Sequence, residues 1–151
     1  MFRGHSQRTQ DPKGRLMLPP EFRDEVFANS PDGKLVLTNF DECVAAYPMP
    51  EWEAIEQSFA KLNMTDRNVR NFHRFFISGA VEVTLDKQGR ILIPPHLRNY
   101  AGLRKDIVLA GVGRKFEIWD QERFEAGRNA MQENVDQVMD DLAEKGFELR
   151  F

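Results

Sequence analysis

Between Val81 and Leu85 the chain alternates apolar and polar residues, Val-Glu-Val-Thr-Leu, the period of a strand with one buried face. Asp86-Lys87-Gln88-Gly89 then reads as a turn, because Asp can bond its own downstream backbone and Gly tolerates positive φ. Arg90–Ile93 returns as a strand. Pro94-Pro95 stops it and opens a short helix, His96–Ala101, closed by Gly102. Ile107–Ala110 and Lys115–Trp119 form a hairpin across Gly111-Val112-Gly113. Elsewhere the period is helical. Trp52, Ile55, Phe59 and Leu62 share one face after Pro50. Thr65-Asp66 can cap a second helix with Val69, Phe72, Phe76 and Ile77 inside and Arg67, Arg70 and Arg74 outside. Phe124, Met131, Val135, Val138 and Leu142 predict a longer amphipathic helix with an acidic outer face. Core packing is the expected role of these stripes.

The same pattern occurs twice. Phe2–Arg23 aligns without gaps on Ile77–Arg98 at an offset of 75, with 8 of 22 positions identical. These are Gly4/Gly79, Thr9/Thr84, Asp11/Asp86, Gly14/Gly89, Arg15/Arg90, Pro19/Pro94, Pro20/Pro95 and Arg23/Arg98. Leu16/Ile91, Met17/Leu92, Leu18/Ile93 and Phe22/Leu97 match as apolar pairs. A second block follows at an offset of 72, pairing Leu35-Val36-Leu37 with Ile107-Val108-Leu109 and Tyr47 with Trp119. Within it Trp52-Glu53 pairs with Phe124-Glu125. The change of offset predicts a loop three residues longer in the first copy. A repeat at a fixed period dictates the architecture. A unit of roughly 45 residues buries too little surface to stand alone, so the copies are expected to pair about a pseudo-twofold axis. The copies differ in their first strand. Ser6, Arg8 and Gln10 stand where the second copy has Val81, Val83 and Leu85.

Composition narrows the class. The chain has 151 residues, 41% of them hydrophobic, enough for one compact domain or two small ones. It contains no apolar run of the roughly 20 residues that a bilayer crossing needs. The opening Met1-Phe2-Arg3-Gly4-His5 lacks a signal-peptide core, and Cys43 has no internal disulfide partner, so a cytoplasmic protein is expected. The net charge of −3 argues at first against nucleic acid. Its distribution is uneven: +3 over 1–23, −7 over 24–66, +3 over 67–79, +3 over 80–119 and −5 over 120–151. A binding face needs local positive potential, although ordinary solvated surfaces give the same pattern.

Within the duplicated Asp-x-x-Gly-Arg turn, geometry explains Asp and Gly but not the arginine. Arg15 and Arg90 present planar donor forks suited to phosphate or to guanine O6 and N7. An Arg–Asp pair closing each hairpin is the structural alternative. Lys13 and Lys87 lie in the same turns and suit phosphates. Arg23 and Arg98 belong to the short-helix segments and have local acids, such as Glu21, as alternative partners. Catalysis finds no support. His5, His73 and His96 are scattered, and Cys43 lies in the apolar stretch Val44-Ala45-Ala46. Neither a zinc-ligand spacing nor a glycine-rich phosphate loop occurs. No enzyme activity, cofactor, metal or small-molecule substrate is expected.

Met1-Phe2-Arg3-Gly4, Asp11-Pro12-Lys13-Gly14-Arg15-Leu16, Pro19 and Phe22-Arg23 together resemble the MraZ family. So do Asp86-Lys87-Gln88-Gly89-Arg90, Ile93-Pro94, Leu97-Arg98, Tyr47-Pro48-Met49-Pro50-Glu51-Trp52 and Lys115–Asp120. The resemblance fades after about Phe124, and the first strand with Ser6, Arg8 and Gln10 departs from it, so that strand is expected to be weakly ordered or to face a subunit interface or DNA. It implies an α+β, β-rich fold of two tandem AbrB-like swapped-hairpin units forming a pseudo-twofold barrel with flanking helices. The implied division is a first repeat 1–53, a helical connector 54–76, a second repeat 77–125 and a C-terminal helix and tail 126–151. The implied function is a transcriptional regulator, usually a repressor, of the bacterial division and cell-wall gene cluster. Such a protein binds repeated boxes in double-stranded promoter DNA, assembles into a homo-oligomeric ring and is nucleoid-associated. The family's DNA-contacting arginine maps onto Arg15, with Arg90 its equivalent. Arg3, Lys13, Arg15, Lys87 and Arg90 are the candidate DNA-binding residues. The alternative is a ring-forming scaffold without DNA readout, using the acidic C-terminal helix.

Overall fold

The computed structural model describes residues 1–150 and divides into two compact units, the first spanning 1–121 and the second beginning at 122. The first unit runs β1 (His5–Thr9), β2 (Arg15–Met17), α1 (Pro20–Asn29), β3 (Lys34–Phe40), β4 (Cys43–Pro48), α2 (Met49–Ala60) and α3 (Arg67–Ser78). It continues with β5 (Val81–Thr84), β6 (Arg90–Leu92), α4 (Pro95–Ala101), β7 (Asp106–Gly111) and β8 (Phe116–Asp120). A long helix, α5 (Gln121–Glu144), follows. The fold is α+β, with eight antiparallel strands and five helices among the described residues.

Six strands form one sheet in the order β1-β7-β8-β4-β3-β5, and β2 pairs with β6 in a separate ladder. The copies exchange their first strands. β1 pairs with β7 of the second copy, and β5 pairs with β3 of the first. The registers are equivalent: Thr9 opposes Asp106, and their counterparts Thr84 and Lys34 oppose each other. Two residues lie opposite their own counterparts. Leu16 faces Ile91 in the β2–β6 ladder, and Ala45 faces Glu117 between β4 and β8. A pseudo-twofold axis therefore passes through both pairs.

Hydrogen bonds do not close these strands into the expected barrel. The six-stranded sheet keeps two edges, β1 and β5. At the turns that join the sheet to the ladder, Asp11 N donates to Arg15 O and Asp86 N to Arg90 O.

The main core lies between the large sheet and the β2–β6 ladder. Leu35, Leu37, Ile107, Leu109, Phe116 and Ile118 meet Leu16 and Ile91 there, with Phe22 of α1 and Leu97 of α4 closing the sides. Each such fully buried side chain is worth roughly 1.5–3 kcal/mol. On the sheet's other face, Val36, Ala45 and Tyr47 pack under Trp52, Phe59 and Phe76 of α2 and α3. Trp52 stacks on Phe76 with ring centroids 5.5 Å apart, and Thr38 Oγ1 donates to Phe76 O at 2.6 Å.

Several elements differ from expectation. The three-residue difference between copies lies in the helix, since α1 has 10 residues and α4 has 7. Four residues follow each helix before the next strand, Ser30–Gly33 and Gly102–Lys105. Both helices begin on the second proline of their pair, which needs no N–H partner there. The polar first strand is paired with β7 along its length. Gln10, in the place of Leu85, is only 7% exposed and donates through Nε2 to Arg104 O at 2.7 Å. Helix α2 ends at Ala60, so Leu62 lies outside it and is exposed. Asp66 caps α3 by accepting from Val69 N at 3.1 Å, as its position suggests. In α5, Met131 and Val135 are exposed. No helix among the described residues is long and apolar enough to cross a membrane.

Candidate nucleic-acid interface

The two Asp-x-x-Gly-Arg turns adopt one geometry. Asp11 Oδ1 accepts from Lys13 N and Arg15 N at 3.0 and 2.9 Å, and Asp86 Oδ1 accepts from Gln88 N and Arg90 N at 2.8 and 2.9 Å. Gly14 and Gly89 sit at φ +89° and +78°, donating back to Asp11 O and Asp86 O. Positive φ at this turn position is the reason for glycine. The backbone donors lower the pKa of each aspartate below its ordinary value, Arg15 N leading at Asp11 and Arg90 N at Asp86.

Each arginine also pairs with its own turn aspartate. Arg15 Nε donates to Asp11 Oδ2, and Arg90 Nε donates to Asp86 Oδ2 at 2.9 Å. The hairpin-closing pair is therefore present in both copies. It uses Nε, so the Nη1/Nη2 end of the guanidinium is not consumed by it. A carboxylate on Nε also fixes the direction of the fork.

The turns are tied across the pseudo-twofold. Leu18 N donates to Gly89 O at 3.0 Å, and Ile93 N donates to Gly14 O at 2.9 Å. A Cβ on Gly14 would lie 2.8 Å from Arg98 Nε, and one on Gly89 would lie 3.2 Å from Arg23 Cδ. Each helix arginine thus lies over the turn of the other copy. Arg23 has Asp24 at 3.6 Å rather than Glu21, and Arg98 Nε donates to Ile93 O at 3.0 Å.

The strands between the turns make a short ribbon with one outward face. Leu16 and Ile91 point into the core; Arg15, Met17, Arg90 and Leu92 occupy the other side. Arg15 lies directly across from Leu92, and Met17 across from Arg90. The two arginines are diagonal neighbours, roughly 7–8 Å apart at that ladder position. Lys13 and Lys87 are exposed within the flanking turns. Arg3 is elsewhere. It lies beyond the far end of β1, beside the Phe2–Gly113 bridge; the hydrogen bond from the N-terminal amine leads in lowering the Glu25 pKa, and Arg3 adds the smallest contribution. The five residues of β1 at about 3.3 Å each separate it from the Asp11 turn.

The outward apolar pair was hidden in the sequence. Leu16-Met17-Leu18 and Ile91-Leu92-Ile93 read as continuous core runs. Strand alternation is the signal that turns the middle residue outward.

Other reactive groups have structural surroundings. Cys43 is fully buried, which raises its thiol pKa, and Sγ lies 3.2 Å from Phe40 O. Lys115 pairs with Glu117 at 3.3 Å and lies over the rings of Phe40 and Tyr47. His96 Nε2 is 3.0 Å from Gly79 O.

Strand exchange, matched turns and one shared ribbon define a tandem-repeat β-rich module with a two-armed cationic face. Comparison with known proteins agrees with the duplication. The family model described as "MraZ protein, putative antitoxin-like" matches twice, at residues 1–75 and 76–144. The chain is 60% identical to the transcriptional regulator MraZ of Solidesulfovibrio magneticus, over the full length of both chains. It is 50% identical to the transcriptional regulator MraZ of Nitratidesulfovibrio vulgaris strain Hildenborough, covering 100% of this chain and 99% of that one. It is 43% identical to the transcriptional regulator MraZ of Pelotomaculum thermopropionicum, covering 95% and 97%. The chain belongs to the MraZ family.

Proposed function

We propose that this protein is a sequence-specific DNA-binding transcriptional regulator whose β2–β6 ribbon enters the major groove. One observation carries the reading: two arginines, one from each repeat, stand on one outward ribbon face, each oriented by its own turn aspartate. A two-stranded ribbon fits a major groove about 12 Å wide, and arginine forks match guanine O6 and N7. Arg15 and Arg90 are assigned base readout, and Lys13 and Lys87 phosphate contacts. Arg3 is offered only as a flanking phosphate contact.

The strand exchange supports the AbrB-like swapped-hairpin description. The units proposed are 1–53 and 77–125, joined by the connector 54–76 and followed by the helix and tail 126–151. Family resemblance supports the remaining expectations: repression of the division and cell-wall cluster, repeated promoter boxes, a homo-oligomeric ring and a nucleoid-associated cytoplasmic protein. The scaffold reading draws on the exposed Met131 and Val135 of α5, a candidate surface for protein contacts.

Footprinting the purified protein on the DNA upstream of its own gene tests the proposal. Protection of regularly spaced boxes is expected. Uniform protection or none, at a salt concentration near physiological, contradicts sequence-specific binding.

A further inference from the structure

We propose that Met17 and Leu92 read the 5-methyl groups of thymines, making them specificity-determining residues beside the two arginines. The inference rests on the DNA-binding reading above and adds a chemical class of contact to it.

Met17 is 46% exposed and Leu92 53%, on the outward face of a ribbon whose inward residues, Leu16 and Ile91, are 0% and 1% exposed. Folding leaves these two large apolar side chains in water at equivalent places in both repeats. Duplication alone preserves an apolar residue where the core needs it, and the core does not need these. They are also not isolated. In the ladder register, Leu92 lies directly across from Arg15 and Met17 across from Arg90. Each arm of the face thus pairs one donor fork with one apolar side chain. Directly opposed Cβ atoms lie roughly 4.5–5.5 Å apart, so both members of a pair reach neighbouring base edges together.

The major groove offers one apolar feature, the thymine methyl, and side chains read it by apolar contact. Same-face residues along a strand are about 6.6–6.8 Å apart, close to two base-pair steps of 3.4 Å. A ribbon lying along the groove can therefore present both pairs to base edges at once. The pseudo-twofold through Leu16 and Ile91 relates the arms, so the thymines they read are related by the dyad of the site. Polar residues at 17 and 92 would satisfy solubility equally well. They would not distinguish thymine from cytosine by its methyl group.

The test uses the full-length protein and a duplex selected by it from a random-sequence pool. Each thymine of the footprint is replaced in turn by deoxyuridine, which removes only the methyl. The expected result is a loss of about fourfold in affinity at each of two dyad-related positions, the worth of one buried carbon. Met17→Ala is expected to abolish that sensitivity at one position and Leu92→Ala at the other. Both residues are exposed, and circular dichroism is expected to report unchanged folding. Equal wild-type affinity for thymine and uracil duplexes overturns the proposal. So does sensitivity that persists in the double variant, which assigns the methyl effect to DNA shape. A double variant that loses only self-association, with uracil sensitivity intact, overturns it in favour of a second copy on this face. Failure to select any duplex contradicts the DNA-binding reading itself, a result distinguishable from all of these.

Discussion

Leu16 and Ile91 face each other across the β2–β6 ladder, and each is the other's counterpart in the repeat. This contact places the pseudo-twofold axis in the middle of the ribbon. Every feature on one arm consequently recurs on the other: turn, arginine, exposed apolar residue and buried partner. A DNA site with approximate dyad symmetry is the natural complement of such a face.

The lysines of the turns are predicted to set salt dependence rather than preference. Each neutralised phosphate contributes about −0.9 to the slope of log affinity against log salt. Lys13→Ala is expected to flatten that slope by about 0.9 while retaining the ranking of DNA sequences. A titration series at several salt concentrations measures both. A changed ranking with an unchanged slope removes Lys13 from the phosphate role.

Gly14 is predicted to be less replaceable than Gly4. Both have positive φ, +89° and +77°, so an alanine at either incurs backbone strain on the order of 1–3 kcal/mol. Only at Gly14 would the new Cβ also meet Ile93 O at 2.7 Å and Arg98 Nε at 2.8 Å, whereas Gly4 has nothing within 4 Å. Urea unfolding is expected to find Gly14→Ala the less stable variant. Equal midpoints contradict the tight interlock of the two turns.

The turns are predicted to weaken in acid. Asp11 and Asp86 have folded-state pKa values below the ordinary 3.8, chiefly through the Arg15 and Arg90 backbone donors. Their contribution is therefore fully present well above pH 3.8 and is lost as pH falls through the unfolded and then the folded values. The double variant Asp11→Asn/Asp86→Asn, unable to titrate there, is expected to show a shallower fall in stability between pH 5 and 3. Parallel stability curves for wild type and variant over that window contradict the cause assigned to the shift.

What local chemistry specifies was legible in the sequence. The Asp–Gly turns, the Pro-Pro helix starts and the Asp66 cap each depend on residues within four positions of one another. Long-range choices were not legible. Nothing within Ser6-Gln7-Arg8 names β7 as the partner of β1, because strand exchange depends on what the whole sheet leaves unpaired. The Asp41-Glu42 hairpin turn was equally silent. Both residues have positive φ, 55° and 65°, without the glycine that usually announces this geometry. A three-residue insertion looks the same in sequence whether it lengthens a loop or, as here, a helix. The exposed Met17 and Leu92 were masked by buried neighbours on both sides.

Self-association is predicted to strengthen binding to repeated boxes. Linked engagement gains on the order of 10²–10⁴-fold by effective concentration when the spacing fits. Light scattering and titration of duplexes with one, two or three boxes check this. A monomer at working concentration, with equal affinity for one and several boxes, contradicts it.

The central claim is that Arg15 and Arg90 read bases from the shared ribbon. Its most direct measurement compares wild type with Arg15→Ala/Arg90→Ala on a selected duplex and on a scrambled one, at fixed salt. A bidentate arginine–guanine contact is worth about 1–3 kcal/mol of discrimination. The double variant is expected to stay folded, keep most of its affinity for scrambled DNA and lose most of its preference for the selected site. An unchanged preference in the folded double variant would contradict it.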